Sequence, residues 1–200
     1  MPDEPLNVWF QRDTAPIWDR YLVNNAAWSK LPSHRPLRYL EIGVAAGDSM
    51  EYAFENLRIE RAFGIDPYIA PKRRMQAKYD DYRLAAARRL AKYDPKVVLV
   101  YESSQVWLAA SVAAGGEDSS FDFEYIDGDH NGPEALTDMI LAWRLLRVGG
   151  IMAVDDIHRR WARGRSSVRE AWRAFCDVYE DGYEFVYREP HQAAVRKIRP

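Results

Sequence analysis

Residues 37–49 read Leu37-Arg38-Tyr39-Leu40-Glu41-Ile42-Gly43-Val44-Ala45-Ala46-Gly47-Asp48-Ser49, and the fold can be argued outward from them. Leu37 to Ile42 is a short apolar run of strand character. It gives way to a Glu-x-Gly-x-x-x-Gly turn that leads into a helix. Glycines at such a turn let backbone N–H groups approach a ligand, and the helix N-terminus favours a negative group. The same rhythm recurs downstream in Ala62–Asp66, Val97–Tyr101, Asp122–Asp127 and Ile151–Asp155, each ending in or near an acid. Helical patterns separate these runs: Met75, Tyr79, Tyr82, Ala86 and Leu90; then Leu136, Ile140, Trp143 and Leu146; then Val168, Trp172, Phe175 and Tyr179. Strands alternating with helices imply a parallel sheet with crossover helices.

Gly149-Gly150, after Leu146-Arg147-Val148, reads as a helix stop and a tight turn into the fifth strand. Tyr183–Tyr187 and Ala193–Ile198 read as two closing strands joined by a short turn. The expectation is a doubly wound α/β domain over 37–200, with a mostly parallel seven-stranded sheet and an antiparallel last strand. Residues 1–36 form an aromatic segment that packs on it or caps it, with Trp9, Phe10, Trp18, Tyr21 and Trp28. Packing over the sheet, a homodimer contact and a lid over an aromatic acceptor are the three uses open to those rings.

Composition narrows the function. With 28 Lys and Arg against 30 Asp and Glu, the formal charge of −2 gives no global basic field for nucleic acid. No apolar run approaches the ~18 residues of a membrane helix, and the acidic, Pro-broken first residues carry no export signal. A lone cysteine, Cys176, supports no internal disulfide framework and fits a cytoplasmic setting.

In open α/β sheets the ligand lies outside the carboxyl ends of the strands, where strand order reverses. Asp66 ends the second strand about 20 residues beyond Gly43, where such folds present a carboxylate to ribose hydroxyls. Capping the turn before Pro67 is its plainer role. If the fourth and fifth strands are neighbours, their ends lie ~5 Å apart and bring Asp127 towards Asp155 and Asp156. Converging carboxylates repel unless a cation sits among them, and hard oxygen ligands suit magnesium, manganese or calcium. The structural alternative has Asp156 turning the chain and Asp127 bonding backbone.

Together these residues resemble the class I S-adenosylmethionine-dependent methyltransferases. The likeness is to the small metal-dependent O-methyltransferases of the catechol and caffeoyl-coenzyme A type, and to the macrolide-sugar and cephalosporin-hydroxylase-like branch. It runs from Leu37 to His158 and implies a Rossmann-like methyltransferase fold. It also implies roles for individual residues. Glu41, Gly43, Gly47 and Ser49 would form the cofactor motif, with Ser49 on the methionine carboxylate. Asp66 would take the ribose, Ser104-Gln105 the adenine, and Asp127 would border the cofactor as well. The family holds magnesium with Asp-Asp-Asn, where this chain has Asp127, Asp155 and Asp156.

No lysine lies between Lys96 and Lys197 and arginine cannot serve as a base, which leaves His130, His158, the carboxylates and the tyrosines as proton acceptors. His130, three residues beyond Asp127, stands where the catechol type carries a lysine base. Its ordinary pKa near ~6.5 suits proton acceptance. Substrate positioning, metal ligation and a loop-fixing hydrogen bond are its other readings. The lysine gap also removes the Lys-Asp-Lys-Glu set of ribose 2′-O-methyltransferases, and no Asn-Pro-Pro-Tyr sequence is present, so a nucleic-acid acceptor is disfavoured.

The reading that follows is metal-assisted O-methylation of a small hydroxylated molecule, with His130 and Asp127 as catalytic residues. Arg159, Arg160, Arg163, Arg165, Arg169 and Arg173, against Glu170 alone, raise the prospect of an anionic acceptor; a solvated helix face is the plain alternative. A rival class is a Ser-His-Asp hydrolase using Ser49 and His158, suggested by Gly47-Asp48-Ser49 and the Asp-x-x-His of Asp155 to His158. There the Gly-Asp-Ser should end the first strand, whereas Ser49 falls in the following helix. A catalytically silent cofactor-binding protein is the third possibility.

Overall fold

A computed structural model describes residues 10–23, 35–115, 121–158 and 167–200. The strands are β1 (Leu37–Ile42), β2 (Ile59–Ile65), β3 (Val97–Val100), β4 (Phe121–Ile126), β5 (Leu146–Val154), β6 (Tyr183–Arg188) and β7 (Ala193–Lys197). Around them lie α1 (Ala15–Trp18), flanked by π-helical turns at Phe10–Thr14 and Asp19–Val23, then α2 (Asp48–Asn56), α3 (Gln76–Leu90), α4 (Ser104–Ala113), α5 (Gly132–Leu145) and α6 (Val168–Val178). The seven-stranded sheet has the order β3-β2-β1-β4-β5-β7-β6, in which β7 runs antiparallel to both neighbours. This is the expected doubly wound architecture, a Rossmann-like methyltransferase fold. No helix among the described residues is long and apolar enough to cross a membrane.

Strand order reverses between β1 and β4, so the crevice opens there. Register aligns the residues that follow the strand ends. Ile42 pairs with Ile126, and Ile126 with Val154. One residue further, the Asp127 N–H donates to Ile42 O at 2.9 Å, the Asp155 N–H to Ile126 O at 3.0 Å and the Gly43 N–H to Ile65 O at 2.9 Å. Gly43, Asp127 and Asp155 therefore stand in one row along the rim.

Both faces of the sheet are covered, which is why the central strands are apolar on both sides. Tyr39, Phe123, Tyr125 and Ile151 face a core shared with Trp18, Leu22, Met50 and Leu90; Leu40, Ile126, Met152 and Val195 face one shared with Met139, Trp143 and Phe175. Trp18 is wholly buried and sets its ring edge-on to Tyr125 and Phe123, with centroids 4.9 and 5.2 Å away. The described part of the N-terminal segment thus packs on the sheet; Trp9 and Trp28 lie outside the described residues. Asp122 pins the start of β4 by accepting from Arg35 at 2.8 Å and from the Arg38 N–H at 2.8 Å, with Arg147 3.0 Å away.

Two local expectations are corrected. Helix α5 stops at Leu145, so Leu146-Arg147-Val148 is already strand. Gly149, at φ +87°, sits inside an irregularity where Phe121 pairs with Leu146 but Phe123 with Ile151. The glycine makes a bulge instead of ending the helix. The buried stripe of α5 is also rotated: Ala135, Met139, Ala142 and Trp143 are buried, while Leu136 and Ile140 are only half-buried. Small alanines let the helix approach the sheet closely, a signal that hydrophobic size alone does not carry.

Candidate active site

A cavity of about 450 Å³ opens at the rim, between the Gly43 turn and the ends of β4 and β5, with Phe10, Asp13 and Thr14 of the N-terminal segment on its wall. On its β1 side the chain makes a tight left-handed turn, with Gly43 at φ +88°, Ala45 at φ +46° and Gly47 at φ +82°. A Cβ on Gly43 would lie 2.0 Å from the Asp127 carbonyl oxygen, so only glycine fits where the end of β1 meets β4. Asp66 ties the turn down by accepting from the Ala45 N–H at 3.0 Å and the Tyr68 N–H at 2.8 Å. Burial pushes its carboxyl up, and these backbone donors pull it back. The structure shows Asp66 in its capping role, holding the Gly43–Gly47 turn that borders the cavity.

Glu41 is completely buried. It accepts from the Tyr39 hydroxyl at 2.6 Å and from the Ser49 hydroxyl. Burial raises its pKa to about 8, against the pull of those two donors. Ser49 and His158 both line the cavity. The bond a nucleophilic serine would make to a histidine goes here to a carboxylate, which does not assemble the hydrolase arrangement. Ser104 and Gln105, at the start of α4, donate to Asp138 of α5 at 2.7 and 3.0 Å, and burial raises Asp138 to about 7 despite both donors.

On the β4–β5 side the acids stand differently. His130 Nε2 lies 3.0 Å from Asp156 Oδ2 and 3.9 Å from Asp127 Oδ1. Each of Asp127, His130 and Asp156 offers a ligand atom, and these atoms all lie within 4.8 Å of one another. Asp127 is raised to about 7 by burial, with Asp155 and Asp156 adding to the shift and His130 opposing it. Burial works against the His130 imidazolium, yet hydrogen bonds to Asp127 and Asp156 outweigh it and raise His130 to about 9. Two carboxylates and one imidazole at this spacing suit a divalent cation that displaces the imidazole proton.

Asp155, expected with them, lines the same cavity but is not part of that group, and the Tyr125 hydroxyl lies between it and Asp127, 3.4 Å from Asp127 Oδ2. Asp155 Oδ2 accepts from the Tyr125 hydroxyl at 2.5 Å, Gln192 Nε2 at 3.2 Å and the Thr14 hydroxyl at 3.3 Å. Its Oδ1 accepts the Asp156 N–H at 2.7 Å. The sequence assigns no partner role to Tyr125, Thr14 or Gln192. Strand alternation places Tyr125 on the same side of β4 as Asp127 and could have flagged it. Nothing local flags the other two. Arg159, Arg160, Arg163 and Arg165 lie outside the described residues.

A family model described as a methyltransferase domain matches residues 40–157. No curated protein matches the chain. Among solved structures, the chain is similar to the MycE methyltransferase from the mycinamycin biosynthetic pathway, in complex with Mg, SAH and mycinamycin VI. That match has a TM-score of 0.63 at 16% identity, over 100% of this chain and 51% of that one. It is also similar to an rRNA methylase from Streptococcus thermophilus, with a TM-score of 0.57 at 8% identity, over 82% of this chain and 88% of that one. A ribosomal protein L11 methylase from Lactobacillus delbrueckii subsp. bulgaricus gives 0.52 at 15% identity, over 86% and 77%. The chain spans about half the length of the MycE chain. At such identities the structures testify to fold, while the family match covers more than half of the sequence: the chain belongs to the methyltransferase-domain family, with the architecture of a class I S-adenosylmethionine-dependent methyltransferase.

Proposed function

We propose that this protein transfers a methyl group from S-adenosylmethionine to a hydroxyl of a small molecule with the help of a divalent cation, magnesium or manganese. The observation that carries this reading is the meeting of Asp127, His130 and Asp156 within 4.8 Å. They share one cavity with the Gly43 turn. MycE, a structural neighbour, is described with Mg and SAH, which supports the pairing of metal and cofactor.

S-adenosylmethionine supplies an electrophilic methyl when bound, and a divalent cation lowers the pKa of a hydroxyl and orients it. The chain's own residues divide the remaining work. The Gly43–Gly47 turn, held by Asp66 and braced by Glu41, gives the cofactor its backbone cradle. Asp127 and Asp156 hold the cation, and Asp155 stands behind them. His130, raised to about 9 between two acids, carries a proton at neutral pH and loses it to the charge of a cation held beside it; the neutral imidazole then takes the hydroxyl proton, and Phe10 and Thr14 line the wall. A small-molecule acceptor in a cytoplasmic setting goes with this reading. The rRNA methylase neighbours favour an RNA acceptor, but the acidic lining of Asp13, Asp127, Asp155 and Asp156 repels phosphate.

The test is turnover with labelled S-adenosylmethionine against diols, catechols and sugar hydroxyls, with and without chelator. Cation-dependent product, with SAH still bound in chelator, is expected. Undiminished turnover in excess chelator would remove the metal from the mechanism.

A further inference from the structure

Thr14 and Gln192 lie at opposite ends of the chain, outside the matched residues 40–157. Both are buried, and both meet Asp155. The orientation of Gln192 is forced. Its Oε1 accepts from the Trp18 indole Nε1 at 3.0 Å and from the Tyr187 hydroxyl. An indole nitrogen can only donate, so the amide oxygen must face it and Nε2 must face Asp155. With Tyr125 and Thr14 this puts three neutral donors on Asp155 Oδ2 and leaves Oδ1 for the Asp156 N–H. Asp156 has φ +56°, a left-handed conformation uncommon outside glycine and better tolerated by aspartate than by most residues, and here its N–H donates to Asp155 Oδ1. The Asp156 carboxylate reaches His130 at 3.0 Å.

We propose that Gln192 and Thr14 are positioning residues for the cation site. With Tyr125 they clamp Asp155 as a fixed, fully bonded anion, and Asp155 holds Asp156 in the turn that aims its carboxylate at Asp127 and His130. The inference rests on the cation reading above and adds a structural requirement: the site is complete only with the Phe10–Val23 segment docked. Trp18 reaches the site's polar groups through Gln192, so its indole N–H acts on the cation at second hand.

The experiment is a Mn2+ titration of metal-stripped protein, followed by the electron paramagnetic resonance of free Mn2+, alongside SAH calorimetry and a thermal melt. Groups behind a metal ligand typically change affinity about 10- to 100-fold. Thr14→Val should weaken Mn2+ on the order of tenfold, Gln192→Met more, and Trp18→Phe several-fold, with SAH affinity held to within about twofold. Thr14→Ser, which restores the hydroxyl, should recover wild-type Mn2+ affinity, as a merely packing role would not require. If Gln192→Met does not fold, Thr14→Val and Trp18→Phe decide the matter. Folded variants that bind Mn2+ as tightly as wild type would overturn the clamp and leave the cation reading standing. A wild-type protein that takes up no Mn2+ would overturn both.

Discussion

The acids on the two sides of the cavity are held in opposite ways. On the cofactor side, Glu41 is met by the hydroxyls of Tyr39 and Ser49, and Asp66 by the N–H groups of Ala45 and Tyr68. Each carboxylate is satisfied by neutral donors and serves to shape a turn. On the other side, Asp127 and Asp156 face one another with His130 between them. Like charges brought together by strand register are costly unless a positive group joins them. The difference separates acids that complete a scaffold from acids balanced by a protonated histidine, whose charge a divalent cation would replace. Asp155 sits on the second side but is bonded like the first.

The largest effect that could break this comparison comes from removing a metal-side acid. Asp156→Asn should lower kcat on the order of 100-fold or more while leaving SAH affinity in place. Parallel steady-state kinetics and calorimetry check it; a loss of SAH binding in Asp156→Asn would mean that the two sides are not separable. Asp66→Ala is the reciprocal change. It frees two backbone donors, at about 1–3 kcal/mol each if they stay buried, and should weaken SAH while Mn2+ affinity holds.

A smaller effect concerns pH. Glu41 carries a folded pKa of about 8 against an ordinary value of 4.5, so between those values the folded chain holds a proton that the unfolded chain has lost. Its contribution to stability is full below about 4.5 and is lost as pH rises towards 8. The slope for one such group reaches about 1.4 kcal/mol per pH unit. Denaturant melts across that window should therefore be flatter for Glu41→Gln than for wild type, and equal slopes would show Glu41 charged in the fold. The smallest effect belongs to Arg159→Gln with Arg160→Gln. An acceptor that carries negative charge should lose affinity and salt dependence, with stability moving by no more than about 0.5 kcal/mol.

Much of this could be read from the chain because parallel strands announce themselves. Apolar runs ending in acids show which residues reach the rim, and once β4 and β5 are neighbours Asp127 stands beside Asp155; that Asp156 is the acid that meets Asp127 depends on its left-handed turn. His130 stands out through the resemblance, which carries a base at its position, and the structure brings it to Asp127 and Asp156. The start of β5 was not legible, since Leu146-Arg147-Val148 suits a last helical turn as well as a strand, and only pairing with Phe121 decides between them. The partners of Asp155 were hidden for a different reason. Thr14 lies 141 residues away along the chain and Gln192 lies 37. Their meeting depends on where the N-terminal segment docks and on the antiparallel return of β7, and neither leaves a local pattern.

The most direct test of the contrast between the two sides is a calorimetric titration of Mn2+ into metal-stripped wild type and Asp156→Asn, each already saturated with SAH. The account predicts one Mn2+ per chain in the wild type, its loss in the variant, and unchanged SAH binding in both. Equal Mn2+ uptake by the two proteins, or none by the wild type, would contradict it.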